Sequence, residues 1–512
     1  MEDTKTKKIT KNTIALTLRM FITMGISIYS SRIILQALGI VDYGIYNVIS
    51  GVISMFSFLN TSMVASTQRF LNFSLGEKDY QKATKIFNTS INLHIFLSIV
   101  LIIVSEIIGV YFLNKHLEIP KERIYAANII FQFTIITSVA NIISVPYKAL
   151  IIAYERMSIY AYEAIFQSLA TLVASYLILY TCSDKLILYA FLLMIISILV
   201  RLFDGWYCSN KLSYKYHFIV DKKLSKEILS FSGWSTLVTL AHLAYTQGSI
   251  FLINIFYGPA INAAQALANQ VNLSLLTFNS NFVMAIKPQI IKSYAEKDLN
   301  YMKQLLTYSL KISCLIMGIV TLPFIIKSDY ILSLWLKEVP TYTHEFLQLA
   351  LILSIFVSFS DPITTAIQAT GKIKNYQISE FFFLISILPC TYILFKLNYQ
   401  PYSTYFIRIA IFILFLIVRL LYLNKLLRFS FKYFLYYVVL RIILSIFLSS
   451  IILFYIGSFF PDNIYSFILL CILSVFINST ISLYIAFNKT ERESIITIIY
   501  TKIFKKQINT KI

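Results

Sequence analysis

Residues 434–457 read FLYYVVLRIILSIFLSSIILFYIG, a run of 24 positions with one charge, Arg441. A helix rises about 1.5 Å per residue and the hydrocarbon layer of a bilayer is about 30 Å thick, so a run of this length crosses it. A strand of a membrane barrel is shorter and alternates apolar with polar residues, which this run does not. Thirteen further runs have the same character: 13–38, 44–68, 86–113, 124–147, 157–180, 186–207, 228–256, 263–286, 304–326, 346–371, 376–395, 403–424 and 464–487. The seventh of the fourteen is the weakest, because Ser232, Gly233 and Trp234 interrupt it. The expectation is an all-α polytopic membrane protein with about 14 transmembrane helices.

Composition agrees. Of 512 residues, 58% are apolar and only 13% charged, about half the charged share of a soluble protein. That much apolar surface cannot be hidden inside a water-soluble domain, so a soluble enzyme is excluded. The net charge is +20, which in a soluble chain would point to nucleic acid. Its distribution points elsewhere. With both termini in the cytoplasm, the cytoplasmic segments hold 32 Lys or Arg and the outer loops 7, leaving five inside helices. Positive residues stay on the cytoplasmic side during insertion. The excess is therefore a topology signal, no nucleic-acid partner is expected, and Lys505 and Lys506 of the basic tail are expected near anionic head groups. The first apolar run is too long for a cleavable signal core. Cys182, Cys208, Cys314, Cys390 and Cys471 show no metal or redox spacing and read as apolar filler.

The chain is duplicated. Shifted by 219 positions, Ser30–Ser90 overlays Ser249–Ser309 without a gap and with 11 identities in 61 positions. Glu77-Lys78-Asp79 falls on Glu296-Lys297-Asp298, Gly39 on Gly258 and Asn60 on Asn279. With a shift of 216, Pro146 falls on Pro362, Ala153 on Ala369, Arg156 on Lys372 and Tyr160 on Tyr376. Six helices is an even number, so the copies run the same way and form two parallel six-helix repeats. The expected divisions are residues 1–219, 220–432 and, for two extra C-terminal helices with a basic tail, 433–512. Pro146 and Pro362 each lie ten residues before a basic residue that marks the cytoplasmic surface, close to mid-membrane. A proline there removes a backbone bond and bends the helix, so the pair reads as hinges or as static kinks.

The run Ser31-Arg32-Ile33-Ile34-Leu35-Gln36-Ala37-Leu38-Gly39-Ile40-Val41-Asp42-Tyr43-Gly44 resembles the first-helix signature of bacterial polysaccharide exporters of the oligosaccharide flippase type. These share a superfamily with multidrug and toxin extruders and lipid II flippases. The resemblance covers roughly helices 1–12. It implies a flippase that moves undecaprenyl-pyrophosphate-linked oligosaccharide repeat units from the cytoplasmic to the outer leaflet by alternating access of two lobes. Such units supply cell-surface polysaccharide such as O-antigen or capsule, which places the chain in the bacterial inner membrane. It further implies a monomer with no cofactor, H⁺ or Na⁺ coupling in some members, and membrane lipids and other polysaccharide-assembly membrane proteins as partners.

Charges inside helices are costly and usually face protein or water. Arg19 and Arg32 lie in the first helix without an acid, and Lys311 lies in the ninth. Guanidinium forks replace the hydration of a pyrophosphate with paired, charge-assisted bonds, and a lysine adds a point charge. Arg32, Arg19 and Lys311 are therefore the candidate pyrophosphate contacts, with snorkelling to the membrane surface as the alternative. Arg408 and Arg441 read as interfacial. Asn47, Asn60, Gln68, Asn88 and Asn92 are candidates for sugar hydroxyls or for interhelical bonds. Asp361, Glu106 and Glu163 are candidates for ion coupling or charge balance. An organic-cation exporter would want an acidic site, which helix 1 lacks. A lipid II flippase is a close alternative, and a membrane polymerase or ligase lacks the clustered groups it would need.

Overall fold

A computed structural model describes residues 2–54, 57–115, 119–181, 184–219, 221–336, 339–489 and 491–493. Lys505, Lys506 and Cys182 lie outside them. Eleven helices are long and apolar enough to cross a membrane among the described residues. The three expected runs that do not qualify, 44–68, 157–180 and 263–286, are nevertheless helical where described. The last of them is polar, with Gln265, Asn269, Gln270, Asn272, Asn279 and Asn281.

The chain divides into two compact units. The first comprises Met1–Leu240 with Ile291–Lys297, and the second Ala241–Ile290 with Asp298–Ile512. The first unit holds α1 (Glu2–Ser54), α2 (Ser57–Gly76), α3 (Tyr80–Val104), α4 (Val110–Lys115), α5 (Ile124–Ala153), α6 (Met157–Leu177), α7 (Lys185–Lys211) and the start of α8 (Lys222–Tyr257). There α5 packs on α7 and α3, and α1 packs on α6. One core joins Ile34 and Ile45 of α1 to Phe131 of α5 and Tyr189 of α7. A second joins Leu71, Phe87, Leu150 and Cys208.

The second unit takes the rest of α8, most of α9 (Pro259–Ala295), α10 (Leu299–Ile326), α11 (Ser328–Trp335), α12 (Thr343–Ser358), α13 (Ser360–Ala369), α14 (Lys374–Ile385), α15 (Ile387–Lys396), α16 (Ser403–Leu427), α17 (Leu440–Ser458) and α18 (Ile464–Ile485). Here α10 packs on α12, α17 and α18, and α16 packs on α12, α13 and α15. Phe447, Phe454 and Phe476 are exposed, as a surface that meets lipid requires. Cys208 and Cys314 are buried, Cys471 half-buried and Cys390 exposed.

The duplication is visible in the backbone. Gly39 and Gly258, 219 residues apart, have φ of 75° and 82°, and Gly39 has ψ of 171°, a conformation essentially closed to other residues. Lys78 and Lys297 both have φ of 60°. The next residue in each copy caps a helix: Asp79 accepts from the Lys82 amide at 2.9 Å and Asp298 from the Tyr301 amide at 3.0 Å. Glu155 and Gly371, 216 apart, again share positive φ.

The two prolines behave differently. The α5 helix runs through Pro146, whereas Pro362 follows a break between α12 and α13 at Phe359. A proline leaves the carbonyl four residues earlier, here that of Ser358, without its helical partner.

Candidate functional site

Each unit buries a charge cluster. In the first, the Lys148 ammonium on α5 meets the Glu163 carboxylate on α6 at 2.6 Å. Asp204 on α7 is completely buried beside them and neither of its oxygens has a hydrogen-bond partner. One turn earlier, the Arg201 guanidinium lies 3.9 Å from the centre of the Tyr147 ring. Gly205 leaves that guanidinium its space, since a Cβ there would stand 2.9 Å from an Arg201 nitrogen. Arg69 on α2 is buried and stacks on Phe70, Phe73 and Phe231. A separate bridge ties Arg123, before α5, to Asp42 and to Asp184, the latter at 2.7 Å.

In the second unit Arg419 on α16 uses its whole fork. It donates to Glu380 at 2.7 Å, Ser360 at 2.7 Å and the Tyr376 hydroxyl at 3.1 Å. Asp361 stands within electrostatic reach of Arg419, of Lys287 on α9 and of Glu380. Further along α16, Arg408 is buried over the rings of Tyr405 and Tyr245, and its Nε has no hydrogen-bond partner. The first cluster sets Lys148 and Arg201 against Glu163 and Asp204, and the second sets Lys287, Arg408 and Arg419 against Asp361 and Glu380, held in protein by charge-assisted bonds and aromatic faces.

The sequence candidates divide across this frame. Glu163 belongs to the first cluster and Asp361 to the second. Arg19 is half-buried, its guanidinium 5.0 Å from the centre of the Tyr160 ring, and Tyr160 is an electrostatic neighbour of Lys148. Arg32 and Glu106 are exposed on α1 and in a short π-turn after α3. Asp42, eleven residues from the start of the Ser31–Gly44 motif, holds Arg123. Lys311 joins neither cluster: its ammonium is buried against Glu491 at 2.6 Å. Arg408, read as interfacial, is buried. Pro146 and Pro362 are both buried.

Asn88 and Asn92 hold a loop: Asn88 accepts from the His217 amide and Asn92 donates to the Ile219 carbonyl. The side chains of Asn47 and Asn60 lie outside the described residues, and Gln68 is buried. Sequence reasoning missed Arg201 and Arg419, which it counted with the cytoplasmic ends of their helices. Arg201 and Arg419 are 218 apart and Glu163 and Glu380 are 217 apart, close to but not on the repeat offsets of 219 and 216. Among the described residues no group of three His, Cys, Asp or Glu could hold a metal ion.

Residues 9–294 match the family described as polysaccharide biosynthesis protein. The fold resembles that of solved transporters. An outward-facing multidrug resistance MATE family transporter of the MOP superfamily aligns with a TM-score of 0.70 at 15% identity, covering 82% of this chain and 96% of that one. A MOP superfamily transporter from Pyrococcus furiosus, described as having a binding pocket of reverse polarity that suggests a different function, aligns at 0.69 with 14% identity, covering 82% and 97%. A MATE protein in the bent conformation aligns at 0.69 with 14% identity, covering 82% and 96%. No curated protein matches the chain.

Proposed function

The chain belongs to the polysaccharide biosynthesis protein family, and from that premise we propose that it flips lipid-linked oligosaccharide repeat units from the cytoplasmic to the outer leaflet. It is a multi-pass membrane transporter and not an enzyme. The observation that carries the cargo reading is the excess of buried or half-buried cation over acid within each helical unit. Among the described residues such cations outnumber such acids seven to six in the first unit and eight to four in the second, where Lys287, Arg408 and Arg419 stand with Asp361 and Glu380. Burying net positive charge is costly unless an anion uses it. A pyrophosphate that must shed water to cross is such an anion, and arginine forks supply the bonds it loses.

The proposed chain crosses the membrane fourteen times, with both termini in the cytoplasm of a bacterial inner-membrane protein. Transport proceeds by alternating access, with Arg19 and Arg32 as pyrophosphate contacts and Pro146 and Pro362 as hinges. The same cation excess disfavours an exporter of organic cations, which needs acids at its site.

The test is a leaflet-resolved assay with labelled lipid-linked oligosaccharide in proteoliposomes. Labelled lipid should reach the opposite leaflet faster than in protein-free vesicles; equal rates would sink the reading. Within it, Arg32→Ala at wild-type abundance is expected to slow transport. Unchanged transport in both Arg32→Ala and Arg32→Glu would remove Arg32 from the path.

A further inference from the structure

Lys311 is among the most completely buried side chains in the molecule, with 1% of its side chain exposed. The carboxylate that neutralises it comes from far along the chain. Glu491, after the last helix α18, accepts from the Lys311 ammonium at 2.6 Å. The same Glu491 oxygen accepts from the backbone amide of Asn488 at 2.7 Å. Asn488 in turn accepts from Arg441 of α17 at 3.2 Å, and Arg441 lies within electrostatic reach of Lys311. The Phe487 ring stands 5.3 Å from the ammonium. An ammonium and a backbone N–H thus hold one carboxylate, with a guanidinium one residue away on the Asn488 side chain. Donors of these kinds bind phosphate oxygens equally well.

The duplication supplies a control. The position equivalent to Lys311 is Asn92, which also anchors a segment from outside its helix. Asn92 donates to the Ile219 carbonyl at 2.7 Å and accepts from the Tyr216 hydroxyl at 2.8 Å. Anchoring therefore needs no charge at this place in the fold. A buried ion pair adds little net stability over a neutral replacement, because desolvation offsets the attraction. The charge at Lys311 calls for a different use.

We propose that Lys311 and Arg441 form a phosphate-binding site that Glu491 occupies while no ligand is bound. Residues 487–489 and 491–493 then belong to a strap over the site. An arriving phosphate or pyrophosphate group takes the place of the Glu491 carboxylate on Lys311, and the strap lifts. Its source is a lipid head group or a soluble anion. The proposal does not depend on which cargo the chain carries.

The test uses the full-length protein in nanodiscs of phosphatidylcholine, with and without phosphatidylglycerol, and with added inorganic pyrophosphate. Trypsin cleavage after Lys489 and Arg492 reports the strap, and calorimetric titration reports pyrophosphate binding. In the wild type, anion is expected to speed cleavage at least about fivefold, the competition an intramolecular carboxylate imposes. Glu491→Gln should be cleaved fast without anion and bind pyrophosphate at least about fivefold more tightly. Acceleration by phosphatidylglycerol alone assigns a lipid head group, and by pyrophosphate a soluble or substrate group. The double variant Lys311→Met with Glu491→Gln keeps a neutral, packed site, should unfold at an unchanged temperature, and should not bind. The proposal is overturned if neither anion changes wild-type cleavage, if Glu491→Gln binds no better than wild type, or if the double variant binds as well as Glu491→Gln.

Discussion

Arg419 shows how a single intramembrane charge is held. All three of its nitrogens donate, to Glu380, Ser360 and Tyr376, and the Phe415 ring lies 4.3 Å away. Removing one partner leaves the other ionised in a dry site, which costs far more than replacing both. Glu380→Gln is expected to destabilise the protein by about 3 kcal/mol. The double change Arg419→Met with Glu380→Leu should recover most of that loss. Thermal unfolding in detergent measures both, and a double variant as unstable as Glu380→Gln would show that the pair itself is needed for folding. The pair was invisible to a reading of one helix at a time: Arg419 sits near the end of its apolar run, where a snorkelling arginine looks the same. Only the position of α14 beside α16 distinguishes them.

At the scale of elements, the duplication is written in turns more than in helices. Apolar helix faces tolerate almost any mixture of Leu, Ile, Phe and Val, so their identity drifts. A residue at positive φ or a helix cap has few substitutes. Gly39→Ala is expected to cost about 1–3 kcal/mol, because its backbone conformation admits a side chain only under strain. Gly25→Ala, in the same helix with open space around it, is the control and should be neutral or slightly stabilising. Comparing their unfolding midpoints checks this; equal midpoints would mean that the bend at Gly39 relaxes. A related expectation concerns the α12–α13 break. If Pro362 causes it, Pro362→Ala restores the donor that the Ser358 carbonyl lacks and joins the two helices. Slower hydrogen exchange over residues 358–362 would report that, and unchanged exchange would assign the break to packing.

For the whole molecule, the proposed orientation rests on the distribution of the +20 charge. Single cysteines placed at Tyr216 and Tyr330 in a cysteine-free background should react with impermeant maleimide from the cytoplasm and from outside, respectively. The reverse pattern would overturn the orientation. The helical class and eleven of the fourteen expected crossings were legible in the chain by itself. They depend on length, hydropathy and local backbone chemistry, which act over a few residues. The partners of the buried charges were not legible. Lys148 meets Glu163 across α5 and α6, and Lys311 meets a residue 180 positions away. Whether an intramembrane lysine reaches lipid, cargo or a carboxylate depends on which helix faces it. Helix-to-helix packing, a property of the tertiary structure alone, decided that for Arg408, which the chain read alone had placed at the interface and which is buried over Tyr405 and Tyr245.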